Sequence, residues 1–217
     1  MRTVTRFRDR SDAGRQLAAR LAAYRDRADV IVLALPRGGV PVGAEIARAL
    51  GVPLDVFVVR KLGVPGHEEL AMGAIASGGA RVVNDEVLAR VGISPAALET
   101  VTAREHEEVA RRDRLYRGER PPAEVRGKTV IVVDDGLATG ATMRAAVAAL
   151  RAQDPARIVV AVPTGSPDTC GQLRSRADEV LCLLTPEPFL AVGFWYDDFG
   201  QLNDEQVRIA LDEAADR

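Results

Sequence analysis

Two adjacent acids, Asp134 and Asp135, stand a few residues ahead of a run of small and hydroxylated residues, Ala138-Thr139-Gly140-Ala141-Thr142. Where such a run opens a helix, several backbone N–H groups can aim at one point, and the helix N-terminus favours an anion there. Gly140 lets a phosphate approach closely, and the hydroxyls of Thr139 and Thr142 add donors. Carboxylates this near would repel the phosphate itself. They suit something neutral or positive, such as sugar hydroxyls or a metal ion. A sugar phosphate satisfies both halves, with its phosphate in the cradle and its hydroxyls on the acids.

The elements that must position these residues follow from periodicity. Residues 129–133 are a buried β-branched run that delivers the acids to a rim, and residues 140–153 carry Met143, Val147 and Leu150 at helical spacing. Further buried strands are expected at 30–35, 54–59, 158–162 and 179–184, with helices after Ser11, over 42–50 with Gly51 as C-cap, over 168–176 and over 204–216. Residues 71–76 and 81–84 read as a strand pair around Gly78-Gly79. Residues 84–120 read as a solvated helical insertion, with Ser94-Pro95 as an N-cap and first-turn proline. Strand–helix alternation with strands apolar on both faces predicts an α/β, doubly wound, mainly parallel five-stranded sheet. Ligands in such sheets bind beyond the carboxyl ends of the strands, so the loops at 36–39, 60–70, 134–142 and 163–167 are expected on one rim. No internal repeat is visible, and residues 1–217 read as one domain.

Strand, acid pair and Thr-Gly-x-Thr loop together resemble the phosphoribosyl-diphosphate (PRPP) motif of type I phosphoribosyltransferases. A departure is Gly136, which replaces the usual apolar residue and is expected to loosen the loop. Pro36-Arg37-Gly38-Gly39 resembles the family's pyrophosphate loop, which often holds a cis peptide. The resemblance implies that Arg37, Gly38, Gly39 and Lys61 hold pyrophosphate, with Asp134 and Asp135 catalytic and residues 138–142 on the 5-phosphate. It also implies that residues 63–70, including His67, Glu68 and Glu69, form a mobile loop. The aromatic stretch at about 185–203 is similar to the hood of hypoxanthine-guanine phosphoribosyltransferases. By that match Phe189 and Trp195 would contact the acceptor and Asp197 would sit near metal. One extra residue separates Phe189 from Gly193, and no lysine lies between Glu179 and Phe189 to read a base. The implied function is Mg²⁺-dependent transfer of the 5-phosphoribosyl group to a nitrogen acceptor such as a nucleobase. Relatives commonly pair, so a homodimer is the family expectation.

Composition narrows the alternatives. The net charge of −2 over 217 residues disfavours a nucleic-acid partner. Cys170 and Cys182 have neither disulfide-framework nor zinc spacing, so a reducing, cytoplasmic setting fits. The N-terminal residues lack a signal-peptide core, and no apolar run is long enough to span a membrane. The chain lacks the Gly-x-x-x-x-Gly-Lys motif of P-loop enzymes and the Gly-x-Ser-x-Gly elbow of serine hydrolases. A protein of this fold that binds PRPP without turnover remains the rival reading.

Overall fold

The computed structural model describes residues 6–215. The opening residues 1–5 and the expected end of the last helix at Asp216 lie outside the described residues. The elements run α1 (Arg10–Arg20), β1 (Val30–Ala34), α2 (Gly39–Leu50), β2 (Leu54–Val56), β3 (Val59–Val64), β4 (His67–Ala76) and β5 (Arg81–Val83). There follow α3 (Asp85–Val91), α4 (Pro95–Arg117), β6 (Thr129–Val133), α5 (Ala141–Arg151), β7 (Arg157–Thr164), α6 (Pro167–Leu173), β8 (Glu179–Leu184) and α7 (Asp204–Ala215).

Five strands form the parallel sheet expected from their apolar runs, in the order β2-β1-β6-β7-β8. Alternate residues of these strands feed two cores. Ile31, Leu33, Val130, Val132, Ile158 and Val160 pack under Met143, Val147 and Leu150 of α5. Val32, Ile131, Val133 and Val159 pack under Leu17 and Leu21 at α1 and Ile46 and Leu50 of α2. Both faces are therefore covered, which is why the strands read as continuous apolar runs. Asp9 rather than Ser11 caps α1. Asp9 is extended (φ −157°), and its carboxylate accepts from Asp12 N–H at 2.7 Å.

The expected single strand at 54–59 is two strands in two sheets. After Val56 the chain leaves the parallel sheet, and β3, β4 and β5 form a separate antiparallel sheet. Val56, Phe57 and Val58 are all buried, in cores on different sides, so hydrophobicity alone does not mark the crossing. The expected loop at 63–70 is instead the tip of the β3–β4 hairpin, turning at Pro65-Gly66 with Gly66 at φ 78°. The insertion is helical as expected, but α4 is not solvated all round. Leu98, Val101, Val109 and Tyr116 join a third core with Leu62, Met72 and Ile75 of the antiparallel sheet and Val207 and Leu211 of α7. Among the described residues no helix is long and apolar enough to cross a membrane.

Candidate active site

Strand register places the loops after β1 and β6 side by side. Ala34 pairs with Val133, and Leu35 N–H donates to Val133 O at 2.8 Å. The peptide bond between Pro36 and Arg37 is cis. Gly38 and Gly39 then lie directly against the acids. A methyl group at Gly38 would fall 2.1 Å from Asp135 Oδ2, and one at Gly39 would fall 2.6 Å from Val133 O. Only residues without a Cβ permit this approach.

Asp134 and Asp135 are half-buried at the end of β6. Asp134 Oδ1 accepts from the N–H of Asp135 at 2.9 Å. Burial, then the neighbouring Asp135 charge, push the Asp134 carboxyl well above the usual aspartate value. Burial also raises Asp135, opposed by Arg10, whose Nε donates to Asp135 Oδ2 at 2.8 Å. Arg10 is held in turn. Its guanidinium carbon lies 3.8 Å above the Phe199 ring, and its Nη1 donates to Gly200 O at 2.9 Å. The Tyr196 hydroxyl donates to Asp135 O at 2.6 Å, and burial raises its pKa.

Phe199 and Tyr196 belong to the aromatic stretch, which is stitched to the N-terminal segment. Phe7 N–H donates to Trp195 O, and Asp197 N–H donates back to Phe7 O. Phe7 and Tyr196 pack with Ala13 in a small core. Gly136 makes room for this hood rather than loosening the loop. A methyl group there would lie 2.5 Å from Val192 Cγ1. Sequence reasoning missed Arg10, Tyr196 and Phe199 in these roles. Arg10 is 125 residues from Asp135, and only the fold joins them.

The cradle is open. Ala138, Thr139 and Thr142 are exposed, and Gly140 takes φ 68° at the start of α5, whose first N–H, that of Ala141, donates to Thr139 Oγ1 at 3.4 Å. Arg144 Nη1 donates to Thr139 O at 2.7 Å, and Thr169 Oγ1 donates to Ala138 O at 3.0 Å, bracing the loop from two sides. Leu137 N–H donates to Thr164 O, which ties the loop to the end of β7. The loops at 36–39, 134–142 and 163–167 thus share the rim.

The remaining nominated side chains lie further apart. The Arg37 guanidinium approaches Asp204 Oδ1 at 3.8 Å and lines a cavity of about 300 Å³ with Arg111, Arg112 and Tyr116. Lys61, on β3, lines another cavity of about 530 Å³ shared with Ala141 and Arg144, its Nζ 3.8 Å from Glu69. Phe189 is half-buried just after the cis peptide at Pro188. Trp195 is half-buried, and its indole N–H finds no acceptor among the described residues. Asp197 is exposed and faces Arg6 at 3.5 Å, on the opposite side of the extended chain from Tyr196.

A family model for the phosphoribosyl transferase domain matches residues 4–194. Two relatives, from two strains of Mycobacterium tuberculosis and carried under a provisional phosphoribosyl transferase name, are each 48% identical over 208 residues. The match covers 96% of this chain and 47% of each relative, so the chain spans about half the length of the curated relatives it matches. A crystal structure of a Thermus thermophilus protein is 45% identical, superposes with a TM-score of 0.87, and matches 96% of this chain and 98% of its own. With the acid pair, the open cradle and the glycine loop on one rim, and with this match over most of its length, the chain belongs to the phosphoribosyl transferase family.

Proposed function

We propose that the chain transfers the 5-phosphoribosyl group of PRPP to a nitrogen acceptor, a nucleobase-like heterocycle, and releases pyrophosphate. The observation that carries this reading is the pairing of two acids with a solvent-facing helix start on one rim. In it, the amides and hydroxyls of Ala138, Thr139, Gly140, Ala141 and Thr142 bind the 5-phosphate. Asp134 and Asp135 accept from the ribose hydroxyls. As the C1–O bond to pyrophosphate breaks, positive character grows on C1 and the ring oxygen, and negative charge at the acids favours it. The pyrophosphate leaves with the bonding electrons onto the Gly38 amide and the Arg37 and Lys61 cations; the Gly39 N–H, expected to share this role, donates instead to Leu35 O at 3.0 Å. The acceptor nitrogen bonds C1 and passes its proton to the departing pyrophosphate.

Mg²⁺ fits this arrangement as an ion carried on the diphosphate, since it binds through substrate phosphates, waters and one or two carboxylates. Among the described residues no three potential ligands form a cage, and Asp134 and Asp135 are the carboxylates the rim offers. The ion would offset charge on the leaving group. Asp197, exposed and facing Arg6, is the further carboxylate that the resemblance puts near the ion. In this reading the acceptor lies under the aromatic stretch, with Phe189 and Trp195 supplying ring faces. The reading takes the chain as one cytoplasmic catalytic unit, with its helical insertion and hood as parts of it.

The test is a titration of PRPP with Mg²⁺ against wild type, Thr139→Asp and, as a surface control, Arg90→Ala. Two like charges about 4 Å apart near a surface repel by roughly 4 kcal/mol, enough to cut affinity more than a hundredfold. Loss in Thr139→Asp alone is expected, with pyrophosphate released when a base is added to wild type. Equal binding by all three proteins would remove the cradle assignment.

A further inference from the structure

Resting on the reading of Asp134 and Asp135 as ribose-binding acids, we propose that Arg10 is a positioning residue that locks Asp135 in orientation and links it to the hood. The contact is well built. Both side chains are largely buried, 12% and 15% exposed, where a charge-assisted hydrogen bond is stronger than at a surface. Three anchors fix the guanidinium: Asp135 Oδ2, the Gly200 carbonyl and the Phe199 ring. A planar fork that also stacks satisfies all three at once, whereas an ammonium could not.

The bond engages one carboxylate oxygen. Asp135 Oδ1 has no hydrogen-bond donor among the described residues, so it stays available to a sugar hydroxyl. The groups facing Asp135 are Asp134 beside it, Arg10 from α1 and Tyr196 from the hood, while the loop before α2 presents the uncharged Gly38. Tyr196 donates to the backbone carbonyl, so Arg10 is the side chain among them that donates to the carboxylate and fixes its turn.

The link to the hood is covalently short. Arg10 follows Phe7 and Arg8, whose carbonyls accept from Asp197 and Asp198 N–H groups. The same stretch supplies Phe199 and Gly200 to the guanidinium. Movement of the hood therefore moves the group that holds Asp135.

The experiment uses the full chain as wild type, Arg10→Ala and Arg10→Lys. One readout is affinity for PRPP with Mg²⁺, whose ribose hydroxyls reach the acids. The other is affinity for inorganic phosphate, which fills the cradle alone. In Arg10→Ala affinity for PRPP should fall about tenfold, the scale of one hydrogen bond to a charged group, with phosphate binding unchanged. Arg10→Lys should lie between. It also carries the test should Arg10→Ala not fold. A purely structural role would weaken both ligands alike, which overturns the inference. Tighter binding in Arg10→Ala, as expected of a contact that blocks the site, overturns it too. Wild type that binds no PRPP sinks the parent reading and this role with it. Wild type that binds while Arg10→Ala matches it sinks the inference alone.

Discussion

Gly136→Ala tests whether the hood is seated by the absence of a side chain. Gly136 does not have a positive φ, so alanine is conformationally allowed. By itself the change should stabilise the fold by about 0.4–1 kcal/mol through the unfolded chain. The structure predicts the opposite sign. The new Cβ would sit 2.5 Å from Val192 Cγ1 and 2.9 Å from Cγ2, so the hood must retreat by about 0.9 Å to reach ordinary contact. Val192 begins the short helical turn that ends at Trp195, and the next residue holds Asp135 O through a 2.6 Å hydrogen bond. A shift of that size would carry this bond to the edge of hydrogen-bonding distance. Overpacking typically costs about 1–3 kcal/mol. For a chain of this size each kcal/mol lowers Tm by roughly 2–4 °C. Calorimetry on wild type, Gly136→Ala, Val192→Ala and the double variant closes the cycle. The double variant should be more stable than the sum of the singles, because Val192→Ala removes the methyls that the new Cβ strikes. Unchanged stability in Gly136→Ala, or strict additivity, would refute the packing argument.

Other perturbations have signs fixed by the structure. Arg117 is buried, with Nε donating to Asp55 Oδ1 and Oδ2 at 2.8 and 2.9 Å and its other nitrogens reaching Asp113 and Val56 O. Arg117→Ala leaves both acids without their partner and should cost about 3–5 kcal/mol, read as a fall in Tm; a negligible fall would show that α4 is not tied down there. Asp134→Asn should raise Tm at neutral pH while abolishing PRPP binding. The folded Asp134 carboxyl lies above its ordinary value of 3.8, so its contribution to stability is present below that value and is lost as pH rises through the folded one. The advantage of asparagine should accordingly vanish in acid, and a Tm difference independent of pH would contradict the burial of the charge.

Much of the rim was legible because it is local. A β-branched run, two acids and a small-residue loop are contiguous, and their order alone dictates strand, rim and helix start. The glycines of the 36–39 loop were legible for the same reason, and the structure shows what they are for: Asp135 leaves no room for a Cβ at Gly38. The hairpin at 59–76 was not legible, since residues 54–59 are buried in either sheet and apolarity does not record which core a side chain enters. Arg10, Phe199 and Tyr196 were invisible for a different reason. An arginine near one end and an aromatic cluster near the other have no periodicity in common, and they meet at Asp135 only because Phe7 pairs with Tyr196. The sequence thus determined the make-up of the small-residue loop, which depends on neighbours along the chain. Tertiary structure alone decided the electrostatics of the acids, because burial and an ion pair across 125 residues depend on neighbours in space.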